Sequence, residues 1–233
     1  MKMPHPVPYQ GSKRKLAPII GRYLPQGIST FYEPFAGSAA MTIYAAYHRR
    51  ASRFVIGDSF EPIVMLLRAI VNEPEKTANQ YRILWEGQCD GNDKYFNSIR
   101  DRYNKKRYHV DLLYLICRCV KNAIRFNKCG QFTQSVDRRR LGMHPDKMRS
   151  AILGVSFILR GRVDFRVGDW LETTADARPV NFLYMVDHCA RALGRYVLTQ
   201  SKNSWIHTSA WHDSAQGQKT RQRRLFKPSV HFS

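Results

Sequence analysis

Acidic residues are in short supply. The 233-residue chain carries 18 Asp and Glu against 38 Lys and Arg, a formal net charge of +20. That imbalance speaks against a cationic partner and for a polyanionic one, because a basic surface attracts phosphates and releases their counterions. A generally adhesive basic protein is the alternative. Cysteines number five, at Cys89, Cys117, Cys119, Cys129 and Cys189. Their odd count and irregular spacing argue against a disulfide framework. Cys117 and Cys119 lie two apart in the helix-like run DLLYLICRC, where side chains at i and i+2 point to different faces. Buried thiols are expected there, and no metal site. No apolar run approaches the ~20 residues a membrane span needs. The amino-terminal MKMPHPVPYQ lacks the apolar centre of a secretory signal. A soluble, cytoplasmic protein without membrane contact is the expectation. The motif G-x-G-x-x-G is also missing, so a dinucleotide is not indicated. Core-forming residues, by contrast, are plentiful: the chain is 43% hydrophobic and 12% aromatic. That suits one substantial domain and argues against disorder.

The chain opens on an extended, proline-rich segment to Pro8, and KLAPIIGRYLP predicts a short helix ending at Pro25. STFYEPFAGS (29–38) reads as a strand running into a Gly/Ser turn, followed by a small-residue helix over 39–50. SRFVIGD (52–58) is a second strand and FEPIVMLLRAIVNEP (60–74) a second helix. Strand, turn, helix, strand, helix is the order of a parallel α/β sheet. Residues 75–160 break this rhythm with four helical patterns around the polar, basic stretch NKCGQFTQSVDRRRLGMH, which predicts a helical insertion bearing an exposed loop. The α/β rhythm resumes with RVDFRVGDW (162–170), a short helix, and the strand PVNFLYM (179–185). From Val186 on there are eight Lys and Arg, two acids and no Glu. Past Ser201 no periodicity is convincing, and SAQGQKTRQRRLFK predicts a disordered basic arm. The boundaries are therefore 1–74 and 161–185 for the α/β part, 75–160 for the insertion and 186–233 for an atypical tail.

Four clusters carry chemistry. A Gly/Ser turn between strand and helix, as in FYEPFAGS, lets a ligand approach the backbone at the positive end of a helix dipole. Some 20 residues on, Asp58 ends the next strand, where a carboxylate hydrogen-bonds ribose hydroxyls in nucleotide sites; a turn aspartate without ligand is the alternative. PYQGSKRKLAP (8–18) sets an aromatic and a lysine ahead of a helix, suited to a charged heterocyclic cofactor or simply to a basic surface loop. In VGDW, Asp169 is either a helix N-cap or a cofactor contact. KNAIRFNKCGQFTQSVDRRR (121–140) interleaves basic residues with Phe126 and Phe132, a pattern for a nucleic-acid surface or a solvated face.

Taken together, PYQGSKRKL, FYEPFAGS, FVIGD, RFNKCGQF and VGDW strongly resemble the Dam-like DNA adenine methyltransferases, over roughly residues 5 to 185. The resemblance implies a Rossmann-like α/β methyltransferase sheet with a helical target-recognition insertion. It implies S-adenosylmethionine as cofactor and double-stranded DNA as partner, with methyl transfer to the exocyclic amino group of adenine. A cognate restriction endonuclease is a further implied partner. Cofactor contacts carry over to Tyr9, Lys13, Glu33, Pro34, Phe35, Gly37, Ser38, Asp58 and Asp169. Arg125 and Phe126 lie in the stretch that resembles the family's recognition insertion, and the candidate DNA contacts of this basic region are Arg125, Asn127, Lys128, Arg138, Arg139 and Arg140.

The family pattern also requires [D/N]-P-P-[Y/F] after the strand NFLYM. An exocyclic amine is a poor nucleophile, so its protons must be accepted while the extruded base is stacked on an aromatic. Here the chain reads VDHC, and no Pro-Pro pair occurs anywhere. Asp187 is the catalytic candidate. Because the likeness ends abruptly near Val186, a reading-frame shift or truncation after about residue 185 is expected, with the carboxy-terminal part of the sheet missing and marginal stability as its consequence. An inactive DNA-binding remnant, or a methyltransferase acting on RNA or protein, are the competing readings.

Overall fold

A computed structural model describes residues 2–88, 93–185, 196–201 and 204–209. After 3-10 turns and the short α1 (Ala17–Ile20), β1 (Ile28–Glu33) leads into α2 (Ala40–Tyr47), β2 (Ala51–Asp58) and α3 (Glu61–Asn72). Four more helices follow: α4 (Pro74–Glu86), α5 (Asp93–Lys106), α6 (His109–Arg118) and α7 (Pro145–Leu159). Then come β3 (Val163–Val167), α8 (Trp170–Thr173) and β4 (Phe182–Leu183), with β5 (Tyr196–Ser201) and β6 (Ser204–Ser209) last.

Strands β1 to β4 form one parallel sheet in the order β3-β2-β1-β4. This is the parallel α/β sheet expected from the element order and the Rossmann-like arrangement that the resemblance implied. β2 buries Phe54, Val55, Ile56 and Gly57 in succession, a continuous run typical of a strand covered on both faces. α3 buries Ile63, Val64, Leu66, Leu67, Ile70 and Val71, an i, i+3, i+4, i+7 stripe, and Pro74 stops it while starting α4. The helices of the 75–160 region do not form a separate body. α7 packs on α2, α3 and α4, and α6 on α3 and α4, so one apolar core runs from Phe31 to Leu159.

β4 is only two residues long, far shorter than the predicted 179–185 strand. It docks through both a ring contact and the backbone: Phe182 stacks on Phe31 with ring centroids 5.6 Å apart, and the Tyr184 N–H donates to the Tyr32 carbonyl at 2.8 Å. Among the described residues the parallel sheet ends at β4. β5 and β6 pair antiparallel as a separate hairpin, a strand past Ser201 where sequence periodicity offered none. Asp187 and the basic stretch 214–227 lie outside the described residues. Cys117 and Cys119 are buried free thiols. No helix among the described residues is long and apolar enough to cross a membrane.

Candidate functional site

β1, β2 and β3 are laid down in sequence toward one side, and β4 returns to the other side of β1. The chain thus reverses direction between β1 and β4, and the crevice outside the carboxyl ends of such strands is where open α/β sheets bind ligands. The turn Pro34–Ala39 sits at that point. Gly37 has φ +49°, a left-handed conformation that favours glycine. The Gly37 N–H donates to Asp58 Oδ2 at 2.9 Å, and the Ala36 N–H donates to the Gly57 carbonyl at 3.0 Å. Asp58 Oδ1 accepts from the Phe60 N–H, also at 2.9 Å. The Gly/Ser turn and the acid of the second strand therefore face each other across the strand ends.

Glu33 is buried, and its carboxylate points the other way. Its two oxygens accept from the N–H groups of Met41 (3.3 Å) and Thr42 (2.8 Å). Ala39, at the N-cap, offers no side-chain acceptor, so Glu33 closes the first turn of α2 in its place. Burial pushes the Glu33 carboxyl up to about 7, against the pull of its bonds from Thr42 and Met41. On the β4 side, the buried Tyr184 hydroxyl has no partner among the described residues. Its pKa is raised by burial and by the nearby Glu33 charge.

The amino-terminal segment closes over the turn. A methyl group at Gly37 would stand 3.5 Å from the Tyr9 ring, and Ser12 Oγ and Ser38 Oγ share a hydrogen bond of 2.8 Å. Lys13 Nζ donates to the Gly11 carbonyl at 3.1 Å. On the far side, the Gly168 N–H donates to the Asp58 carbonyl at 3.2 Å. Asp169 caps α8 in a reciprocal pair with Glu172 (2.9 and 3.2 Å). Gly57 lets that helix sit close, since a Cβ there would come within 2.8 Å of Thr173 Cβ.

The basic insertion meets this pocket directly. Phe60, held by Asp58, packs on Phe126 at 5.1 Å between ring centroids, and Phe126 packs in turn on Phe132 at 5.6 Å and Tyr103 at 6.3 Å. The Gln10 N–H donates to the Asn122 carbonyl at 3.1 Å. Phe126 and Phe132 are paired at the base of a tight hairpin. Asn127 shapes its tip: Oδ1 accepts from the N–H groups of Cys129 (3.0 Å) and Gln131 (2.9 Å), and Nδ2 donates to Gln131 Oε1 at 2.9 Å. Arg125 and Lys128 stand exposed on that hairpin, with no side-chain partner among the described residues.

A family model described as D12 class N6 adenine-specific DNA methyltransferase matches residues 9–187. The chain belongs to this family. Two curated relatives share stretches of sequence with this D12 chain. It is 26% identical over 163 residues to the type II methyltransferase M.FokI of Planomicrobium okeanokoites, covering 69% of the chain and 25% of that protein. It is 29% identical over 136 residues to the modification methylase LlaI of Lactococcus lactis subsp. lactis, covering 56% of the chain and 21% of that protein. The D12 chain thus spans about a quarter of the length of the curated relatives it matches. The D12 match takes in both the turn and the insertion, and it ends at Asp187.

Of the residues singled out from sequence, Tyr9, Pro34, Phe35, Gly37, Ser38 and Asp58 converge at the strand ends, with Lys13 beside them. Glu33 is there too, but its carboxylate is spent on the start of α2. Asp169 adjoins the pocket, with its side chain used as a helix cap. Asn127 builds the hairpin instead of projecting from it. The arginine run folds back on acids. Arg138 pairs with Asp93 (2.8 Å), Arg139 grips Asp137 through two bonds (2.9 and 3.0 Å), and Arg140 lies 3.2 Å from the same carboxylate. Arg139, above all, holds Asp137 down to about 2. Three contributors went unnoticed in the sequence. Phe60 joins pocket to hairpin, and Tyr184 brings its buried hydroxyl to the chain reversal. Arg118, buried inside, donates to the carbonyls of Asp137 (3.0 Å) and Arg140 and so ties down the loop. An aromatic two residues after the strand-end acid was the one available signal, and it marked only Phe60.

Proposed function

We propose that this chain binds S-adenosylmethionine in the crevice between the Pro34–Ala39 turn and Asp58, and presents duplex DNA to it for methyl transfer to the exocyclic amino group of adenine. The single observation that carries the reading is the Gly37 N–H to Asp58 Oδ2 bond at the chain reversal. It sets an acceptor-only carboxylate beside a left-handed glycine turn and a Tyr9 ring. The residues present suit the cofactor: each Asp58 oxygen accepts one backbone N–H and keeps lone pairs for a ribose diol. The Tyr9 face suits a heterocycle or a cation. Bound there, S-adenosylmethionine supplies an electrophilic methyl group.

The chain's own residues do the rest. Phe60 and Phe126 fix the hairpin against the pocket, so Arg125 and Lys128 approach DNA phosphates from a set distance. Asp187 accepts an amino proton of the extruded adenine, and favourable contacts must offset the few kcal/mol that extrusion costs. The names of the two relatives, a type II methyltransferase and a modification methylase, support a role in DNA modification; a cognate restriction endonuclease as partner and action in the cytoplasm belong to the same reading. A second reading, a DNA-binding remnant without catalysis, is favoured by one observation: His188 and Cys189 follow Asp187 where the family pattern has two prolines.

Calorimetric titration with S-adenosylmethionine tests the pocket. Asp58→Asn keeps the size and one acceptor. It removes charge-assisted bonds worth about 1.5–3 kcal/mol each, so at least tenfold weaker binding is expected. Unchanged affinity in Asp58→Asn refutes the pocket. Methyl incorporation into an adenine-containing duplex then separates the enzyme from the remnant.

A further inference from the structure

The strands have a second end. Where β2 and β3 begin, five arginines gather from two distant stretches: Arg49, Arg50 and Arg53 after α2, and Arg160 and Arg162 after α7. Register brings them together, with Phe54 opposite Val163, and Arg162 donates to the carbonyls of Ser52 (3.1 Å) and Ala51 (2.6 Å). None of the five forms an ion pair among the described residues, and the closest acid in the sheet, Asp164, closes on Arg166 at 2.7 Å. Arg49, Arg53 and Arg160 are exposed. A groove of about 350 Å3 lined by Tyr47, Arg49, Phe157 and Arg162 runs across this pole. Phe157 in its wall is 86% exposed, unusual for a residue of its size.

We propose that this pole is a second phosphate-binding face, one that holds the backbone of a duplex DNA segment other than the one at the hairpin. Two arguments select that occupant. Every cation here is arginine, whose planar fork matches phosphate geometry. The groove that Arg49 and Arg162 line also lacks the interspersed acids with which a protein partner's mixed charges would pair; Arg53 stands apart from it, in a cavity shared with Asp164 and Asp176. Location sets the segment apart. The hairpin sits at the carboxyl ends of the strands, through Phe60, while these arginines sit at the amino ends. The length of β2, eight residues at ~3.3 Å each, separates the two, so a duplex lying across the carboxyl ends of the strands leaves the amino ends uncovered. The inference rests on duplex DNA being this chain's polyanion, but it uses none of the hairpin residues.

A bridging assay tests it. One duplex is immobilised, a second is fluorescent, and the full chain is added at low salt. The wild type should capture the fluorescent duplex. Arg49→Gln with Arg160→Gln should lose capture while binding of a single duplex stays within about twofold. Arg49→Lys with Arg160→Lys, which keeps the charge but not the planar fork, should capture less than the wild type and more than the glutamine pair. Capture by the glutamine pair at the wild-type level, or no capture by the wild type, overturns the proposal. So does a change of sedimenting mass in the glutamine pair, which would make the face a contact between copies, or stronger competition by polyglutamate than by duplex of equal charge. Failure of the recognition reading would look different: Arg125→Gln with Lys128→Gln would bind a single duplex as tightly as the wild type, whatever the pole variants did.

Discussion

Glu33→Gln should reverse the pH dependence of stability. Glu33 is 3% exposed, and burial lifts its carboxyl from 4.5 to about 7. A group whose pKa is higher in the folded state contributes stability that is full below about pH 4.5 and is lost as pH rises through about 7. At 1.36 kcal/mol per unit, that loss is about 3 kcal/mol. His5 works in the opposite sense. Desolvation lowers it from 6.5 to about 4, and its Nε2 is buried without a partner. Its contribution is full above about pH 6.5 and is lost as pH falls through about 4. Because His5 is only partly buried, solvent screening reduces this to about 1–2 kcal/mol. The wild type should therefore become less stable by about 1–2 kcal/mol between pH 5 and pH 7.5. Glutamine at position 33 cannot ionise and leaves the His5 trend alone, so the variant should become more stable by about the same amount. It should be weaker than the wild type at pH 5, where its amide meets the Met41 N–H donor to donor, and should overtake it above pH 7. Asp137 and the other titrating groups are common to both proteins, so the difference isolates Glu33. Urea unfolding at half-unit pH steps measures it. Parallel curves for the two proteins between pH 5 and 8 would refute the assignment of a buried, strained carboxylate.

Asn127→Ala removes the acceptor for two N–H groups at the hairpin tip; hydrogen exchange at Cys129 and Gln131 should quicken and duplex affinity should fall about tenfold, whereas Asn127→Asp should keep the exchange protection. Gly57→Ala drives a methyl into Thr173; an overpacking cost of about 1–3 kcal/mol in urea unfolding should accompany weaker S-adenosylmethionine binding, as α8 is pushed off β2. Arg118→Met leaves the carbonyls of Asp137 and Arg140 without their donor; limited proteolysis should then cut first within residues 137–142, with global stability lower by roughly 3 kcal/mol.

Local patterns were legible because they depend on near neighbours. The apolar stripe of α3, the continuous apolar run of β2 and the Pro62 and Pro74 boundaries follow from spacing along a few turns, and so the parallel α/β order could be read without coordinates. The turn Glu33–Ser38 and Asp58 could be read as one site because a glycine turn after one strand and an acid after the next have a common use. Their meeting in the bond from Gly37 needs only two adjacent parallel strands.

Other features depended on partners distant in sequence. Whether an arginine is free or paired depends on acids that the chain brings to it: Asp93 reaches Arg138 across 45 residues, and no periodicity reports that. Asn127 read as a DNA contact of the insertion, and only the folded hairpin shows its amide oxygen accepting from the Cys129 and Gln131 N–H groups. β4 is placed by Phe31 stacking on Phe182 and by the Tyr32 carbonyl, about 150 residues upstream. A two-residue strand has too little pattern of its own to announce its place. Sequence by itself determined the sheet order's beginning, the glycine turn after β1 and the basic character of the insertion, since those are set by residue type at short spacing. Tertiary structure decided which charges remain unpaired, how Phe60 couples pocket to hairpin, and that arginines 49–53 and 160–162 share one pole, because each of these is a contact between segments that only folding brings together.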